Sequence, residues 1–119
     1  MPGYKQQKML HERRNEFEKI RKNTPNRIPI ICEKAETNKT LPDLLKKKML
    51  LQPDMTMGQF SAYLSKELNI SPETALFLFT GNSLVSPGSS VGMIYNQHKD
   101  KEDGFLYITY NSENTFGLF

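Results

Sequence analysis

The chain has 119 residues, 37% of them hydrophobic and 24% charged. Its one cysteine, Cys32, excludes an intramolecular disulfide and a cysteine-built zinc site; no apolar run approaches the roughly 18 residues that a bilayer span needs, and the opening "MPGYKQQKMLHERR" lacks the apolar centre of a signal peptide. The net charge of +3 is uneven: residues 1–48 carry thirteen Lys/Arg against six Asp/Glu, and residues 49–119 carry three against seven. That split fits a basic first half facing an acidic partner, and equally a solvated helix face with its counter-charges. The length is that of one domain with a core of its own.

Residues 5–23, "KQQKMLHERRNEFEKIRKN", read as one polar helix. Leu10, Phe17 and Ile20 share a narrow stripe, and alternating charges such as Glu18 and Lys22 suit an exposed surface. A stripe this narrow implies a helix laid on the outside of a domain. "NTPN" stops it, because Pro25 disfavours helical backbone at Thr24. "RIPIICEKA" (27–35) is β-branched and strand-like, with Pro29 at a strand end or an edge-facing position. After the loop "ETNKTLPD", "KKKMLLQP" (46–53) gives a second strand expected to pair antiparallel with the first.

"TMGQFSAYLSKELN" (56–69) is the core helix: Thr56 and Gln59 make a capping box, and Phe60, Leu64 and Leu68 form an i, i+4, i+8 stripe beside Tyr63. "ALFLF" (75–79) is a strand with Phe77 and Phe79 on one face, followed by a "TGNS" turn. A short helix over about 90–97 and the charged turn "KDKEDG" lead to a last strand, "FLYITY" (105–110). Two strands, a core helix and two more strands describe an α+β β-grasp: a four-stranded mixed sheet on a core helix, behind an N-terminal helical extension.

Enzyme chemistry has little to stand on. The chain has no Gly-rich phosphate loop, no nucleophile elbow and no metal-spaced His/Asp/Glu cluster. His11 and His98 lie in charged surface contexts, the Asp100–Glu102–Asp103 turn is interleaved with lysines, and Cys32 sits in an apolar run as an inert thiol. The informative stretch is "LLKKKMLLQP". Lysines running into an apolar strand blunt an exposed edge; the same edge can accept an extended peptide as an added strand. The ending "NSENTFGLF" is open in the same way, either as a frayed terminus or as a processing site at Gly117.

Five stretches in register, "NRIPIICEKAE", "TMGQF", "ALFLF", "IYNQHKDKEDGFLYITY" and "ENTFG", strongly resemble the GABARAP-type ubiquitin-like modifiers of autophagy, the autophagy-related protein 8 family. The similarity runs from about residue 8 to Gly117. It implies a ubiquitin-like β-grasp over 25–112, a helical extension over 1–24 and a flexible tail over 113–119 with a processing site after Gly117. It also implies a non-enzymatic role. A processing cysteine protease removes Leu118-Phe119, then ubiquitin-like activating and conjugating enzymes join Gly117 to phosphatidylethanolamine, with no other cofactor. The modifier would move from the cytoplasm to the autophagosomal or a related membrane, held by its lipid anchor.

By the same resemblance, Phe77, Phe79 and Phe116 would contact the processing and activating enzymes. Cargo receptors bearing aromatic-x-x-aliphatic motifs would dock in two pockets. Glu16, Ile20, Pro29, Ile31, Lys48, Leu50 and Phe105 would form the aromatic pocket. Met49, Leu51, Pro53, Met55, Phe60, Tyr63 and Leu64 would form the aliphatic one. Arg27 and Lys46 would meet ligand carboxylates. The chain departs from the family where Met49 replaces a common aromatic, where Leu51-Gln52-Pro53 replaces Val-Pro, and where Glu67 stands in place of a frequent basic residue. Two other readings are a ubiquitin-like docking adaptor without conjugation, and a basic module binding nucleic acid or anionic membrane through residues 1–48. The second lacks the interleaved exposed aromatics that nucleic-acid binding uses, so no nucleic-acid partner is expected.

Overall fold

The structure, a computed structural model, describes residues 3–114. Its elements are α1 (Tyr4–Gln7), α2 (Leu10–Asn23), β1 (Ile28–Lys34), β2 (Lys48–Leu51), α3 (Met57–Glu67), β3 (Phe77–Thr80), β4 (Ser83–Leu84), α4 (Val91–His98) and β5 (Leu106–Asn111). The strands form one mixed sheet in the order β2-β1-β5-β3-β4. β1 and β5 run parallel and every other pair is antiparallel. This is the expected β-grasp with one strand more.

The extra strand is β4. Gly81 takes φ +59° and starts a two-residue turn that folds Ser83 and Leu84 back on Thr80 and Phe79. Two residues are too few for an alternating pattern, so the sequence shows the turn and not the strand. Pro29 lies where its missing N–H costs nothing to the sheet: it pairs with Leu50 of β2, and the β5 ladder begins only at Ile30.

The helix expected over 5–23 is two helices. Lys8 and Met9 are extended, with Met9 at φ −71° and ψ 159°, and the Met9 amide donates to Glu12 Oε1 across 2.9 Å at the start of α2. Tertiary packing makes the break. The Tyr4 amide donates to Glu33 Oε2 at 2.8 Å, and the Tyr4 ring meets Phe105 edge-on at 5.7 Å. A continuous helix would carry Tyr4 away from both.

The sheet is covered on its two faces. One face packs Ile28, Ile30, Leu106, Ile108 and Tyr110 against Met57, Phe60 and Leu64 of α3 and Val91 of α4. The Thr56–Gln59 capping box forms as read, and Asn69, at φ +53°, ends the α3 segment. The other face packs Ile31 and Phe105 under Tyr4, Phe17 and Ile20. Charged Arg13 is buried as well. Its Nη1 donates to Asp103 Oδ2 at 3.0 Å, and the same carboxylate accepts from the Tyr107 hydroxyl at 2.6 Å. Arg13 completes an i, i+3, i+7, i+10 series with Leu10, Phe17 and Ile20, a stripe that counting apolar residues alone divides.

The long loop between β1 and β2 is fixed from both ends. Buried Asn38 donates to Asn111 Oδ1 at 2.8 Å and its own Oδ1 accepts from the Leu41 amide at 2.8 Å. The Tyr110 hydroxyl donates to the Pro42 carbonyl at 2.7 Å. These bonds hold the segment 43–47 beside β2, where it becomes a wall of the site.

Candidate functional site

β2 is the outer strand of the sheet beside β1. Successive side chains of a strand point to opposite faces, so the register sorts them. Lys48 stands opposite Ile31 and Leu50 opposite Pro29, on the side of α2; Met49 stands opposite Ile30 and Leu51 opposite Ile28, on the side of α3. The two expected pockets therefore fall on the two faces of one four-residue edge.

On the α2 face, Ile31 and Phe105 are fully buried and Pro29 is buried. The Phe105 ring meets Phe17 edge-on at 5.6 Å as well as Tyr4. These residues are a floor already packed by the protein's own side chains. The surface above it belongs to Ile20, half-buried, and Leu50, 37% exposed. Glu16 reaches from α2 to ion-pair with Lys48 on β2 and also with Lys8. Burial by itself would raise the Glu16 carboxyl, but hydrogen bonds from Lys48 and Lys8 outweigh it and hold the pKa at about 2. The Glu16–Lys48 pair ties α2 to the edge strand on this face.

On the α3 face there is an open groove of about 450 Å³. β2 supplies Lys48, Met49, Leu50 and Leu51, the preceding loop supplies Asp43, Leu44, Leu45 and Lys46, and α3 supplies Tyr63 and Glu67. Of the expected aliphatic set, Met49, Leu51 and Tyr63 line it. Phe60 and Leu64 are fully buried, with the Phe60 ring stacked on Tyr63 at 6.4 Å. Exposed Pro53 and half-buried Met55 stand outside the lining. Sequence reasoning did not assign Asp43, Leu44, Leu45 or Glu67 to the groove. The available signal was Leu45, an apolar residue beside three lysines that turns out fully exposed.

Lys46 lies on the groove as expected of a carboxylate contact, and Arg27 is exposed at the start of β1, its carbonyl accepting from Arg21 Nη1 at 3.2 Å. Phe77 and Phe79 were expected together as an exposed aromatic pair. Phe79 is instead buried, 1% exposed, and Phe77 is half-buried, so only Phe77 offers appreciable side-chain surface. Phe116 and Gly117 lie outside the described residues. Cys32 is buried, which pushes its thiol well above the usual range and leaves it without thiolate character at neutral pH. His11 and His98 are exposed. Among the described residues no group of His, Cys, Asp and Glu is placed to hold a metal, and no helix is long and apolar enough to cross a membrane.

An edge strand flanked by a lysine-bearing groove and a buried aromatic floor suits an extended apolar peptide. Comparison with known proteins identifies the family. The family model described as autophagy protein Atg8, ubiquitin like, matches residues 12–117. Autophagy-related protein 8d of Arabidopsis thaliana is 44% identical, over 98% of this chain and 96% of that protein. Autophagy-related protein 8 of Mycosarcoma maydis is 43% identical, over 97% and 96%. Among solved structures, Trypanosoma brucei ATG8 superposes with a TM-score of 0.87 at 37% identity, over 98% of this chain and 99% of that one. Plasmodium falciparum Atg8, solved in complex with a Plasmodium falciparum Atg3 peptide, gives a TM-score of 0.87 at 33% identity, over 98% and 100%.

Proposed function

The chain belongs to the Atg8 family of ubiquitin-like autophagy proteins and is a ubiquitin-like modifier of autophagy, and from this we propose that it is cleaved after Gly117, joined there to phosphatidylethanolamine, and used as a membrane-bound dock for aromatic-x-x-aliphatic motifs. The observation that carries the conjugation reading is the extent of the family match, which runs to Gly117. Glycine suits the task, since a residue without a Cβ threads a narrow channel and exposes its carbonyl to attack.

The partners of this reading are a processing cysteine protease, activating and conjugating enzymes, and cargo receptors; the protein itself catalyses nothing. The peptide bound to the Plasmodium falciparum relative is a precedent for peptide docking on this fold. Docking on this chain is supported by the two-faced β2 edge, where main-chain hydrogen bonds give affinity and alternate side chains give specificity. Before conjugation the chain is cytoplasmic, and the lipid then holds it on the autophagosomal or a related membrane. Intact mass of the protein from autophagy-induced cells tests this: loss of Leu118-Phe119 and gain of a lipid are expected, and both vanish in Gly117→Ala. A wild-type chain that stays full length and unlipidated would overturn the reading.

A further inference from the structure

We infer that the groove between β2 and α3 selects an extended peptide that brings a basic side chain to Glu67, beside the acidic flank that Lys46 favours; the inference rests on the docking reading above. The groove carries opposite charges on its two walls: Lys46 on the loop leading into β2, Glu67 on α3. Lys48 is already paired with Glu16. Neither Lys46 nor Glu67 has an ion-pair partner among the described residues. Asp43, the other carboxylate on the groove, lies 3.7 Å from Lys34 Nζ and is spoken for.

Glu67 stands one helical turn beyond Tyr63, and no cation offsets it there. Burial first, then the Glu67 charge and a hydrogen bond to that carboxylate, push the Tyr63 hydroxyl above its ordinary range. A uniformly acidic ligand would satisfy Lys46 and meet Glu67 with like charge at the other wall. A ligand with a carboxylate toward Lys46 and a lysine or arginine toward Glu67 matches both walls, while its aliphatic anchor fills the space among Leu44, Met49 and Leu51. Opposite and like charges at an exposed site each change affinity by small factors, so exchanging Glu for Arg in the ligand is expected to change it about threefold to tenfold. Charge complementarity of this kind sorts partners more than it sets overall affinity.

The test is calorimetric titration of Trp-x-x-Leu peptides with one acidic flank, carrying Glu, Gln or Arg in turn at each x and at the residue after Leu. At one of these positions the affinity should rank Arg over Gln over Glu, flatten in Glu67→Gln and invert in Glu67→Lys. Glu67 is exposed, so these variants should keep the wild-type circular dichroism. Equal affinities at every position, unchanged by Glu67→Lys while the peptides still bind, overturn the inference and leave the docking reading standing. If no peptide binds the wild type, the docking reading fails and this inference fails with it. Uptake of a second copy of the chain in place of peptide, seen as a concentration-dependent mass by light scattering, overturns it too.

Discussion

Arg13 on α2 and Asp103 in the loop before β5 are joined through Nη1 and Oδ2 at 3.0 Å, with 10% and 0% of their side chains exposed. Asp103 also accepts from the Tyr107 hydroxyl at 2.6 Å and, through its other oxygen, from the Phe105 amide at 2.9 Å. It therefore holds the helical extension, the last strand and the start of the aromatic floor at one point. Asp103→Ala leaves a buried guanidinium, a hydroxyl and an amide without their acceptor. Removing one member of such a pair costs about 3–5 kcal/mol. Urea unfolding followed by circular dichroism should show a loss of at least ~3 kcal/mol, with hydrogen exchange quickening first in α2. Asp103→Asn, which keeps an acceptor, should lose less.

Gly104, next in the chain, has φ +88°, and a Cβ built on it would lie 2.7 Å from two ring atoms of Phe17. Both the backbone conformation and the space demand glycine. Gly104→Ala is expected to cost roughly 1–3 kcal/mol of strain and to push Phe17 off Phe105. In a double-mutant cycle with Phe17→Leu the two losses should fall short of additive, since the smaller side chain relieves part of the clash. Strict additivity by thermal unfolding would show that the ring contact contributes nothing to the cost.

Glu16 predicts an acid-sensitive clasp between α2 and β2. Its folded pKa of about 2 lies below its ordinary value of 4.5. A carboxyl depressed on folding contributes stability that is fully present above the ordinary pKa and is lost as pH falls toward the folded one. Denaturant unfolding of the wild type should weaken between about pH 5.5 and about pH 3, and Glu16→Gln, lacking the titrating group, should weaken less over that interval. Parallel losses in the two proteins would remove Glu16 from the account.

Much of this was legible in the sequence because local and tertiary demands agreed. Thr56, Gln59, Phe60 and Leu64 specify α3 by capping and by period, and the structure keeps every one of those roles. The separation of Lys48 and Leu50 from Met49 and Leu51 came from the family resemblance rather than from the residues alone, and the β1–β2 register puts the two pairs on opposite faces of the edge strand. The misses are places where distant contacts decide. Gln6, Gln7 and Lys8 are helix formers, so only the attachment of Tyr4 to Glu33 and Phe105 explains why the helix breaks there. Glu67 and Leu44 meet across a groove that exists only once the loop is pinned by Asn38 and Tyr110. Phe79 reads as a partner of Phe77 by alternation, yet burial separates them, and period alone says nothing about what covers a face.

The β2 edge yields a prediction in which two kinds of contact separate by size. Leu50 is an exposed apolar side chain on the α2 face, and Lys46 is an exposed cation on the groove. Full burial of a large apolar side chain contributes about 1.5–3 kcal/mol, whereas an exposed ion pair contributes about 0–1 kcal/mol. For a Trp-x-x-Leu peptide with an acidic flank, Leu50→Ala should therefore weaken binding about tenfold or more, and do so equally at low and high salt. Lys46→Ala should weaken it by less than about fivefold, and less at high salt than at low, because an exposed ion pair is weakened by salt. Titration of both variants at two ionic strengths checks the division. If Lys46→Ala proves the larger loss at high salt, the apolar anchors do not dominate and the pocket assignment at Leu50 is wrong.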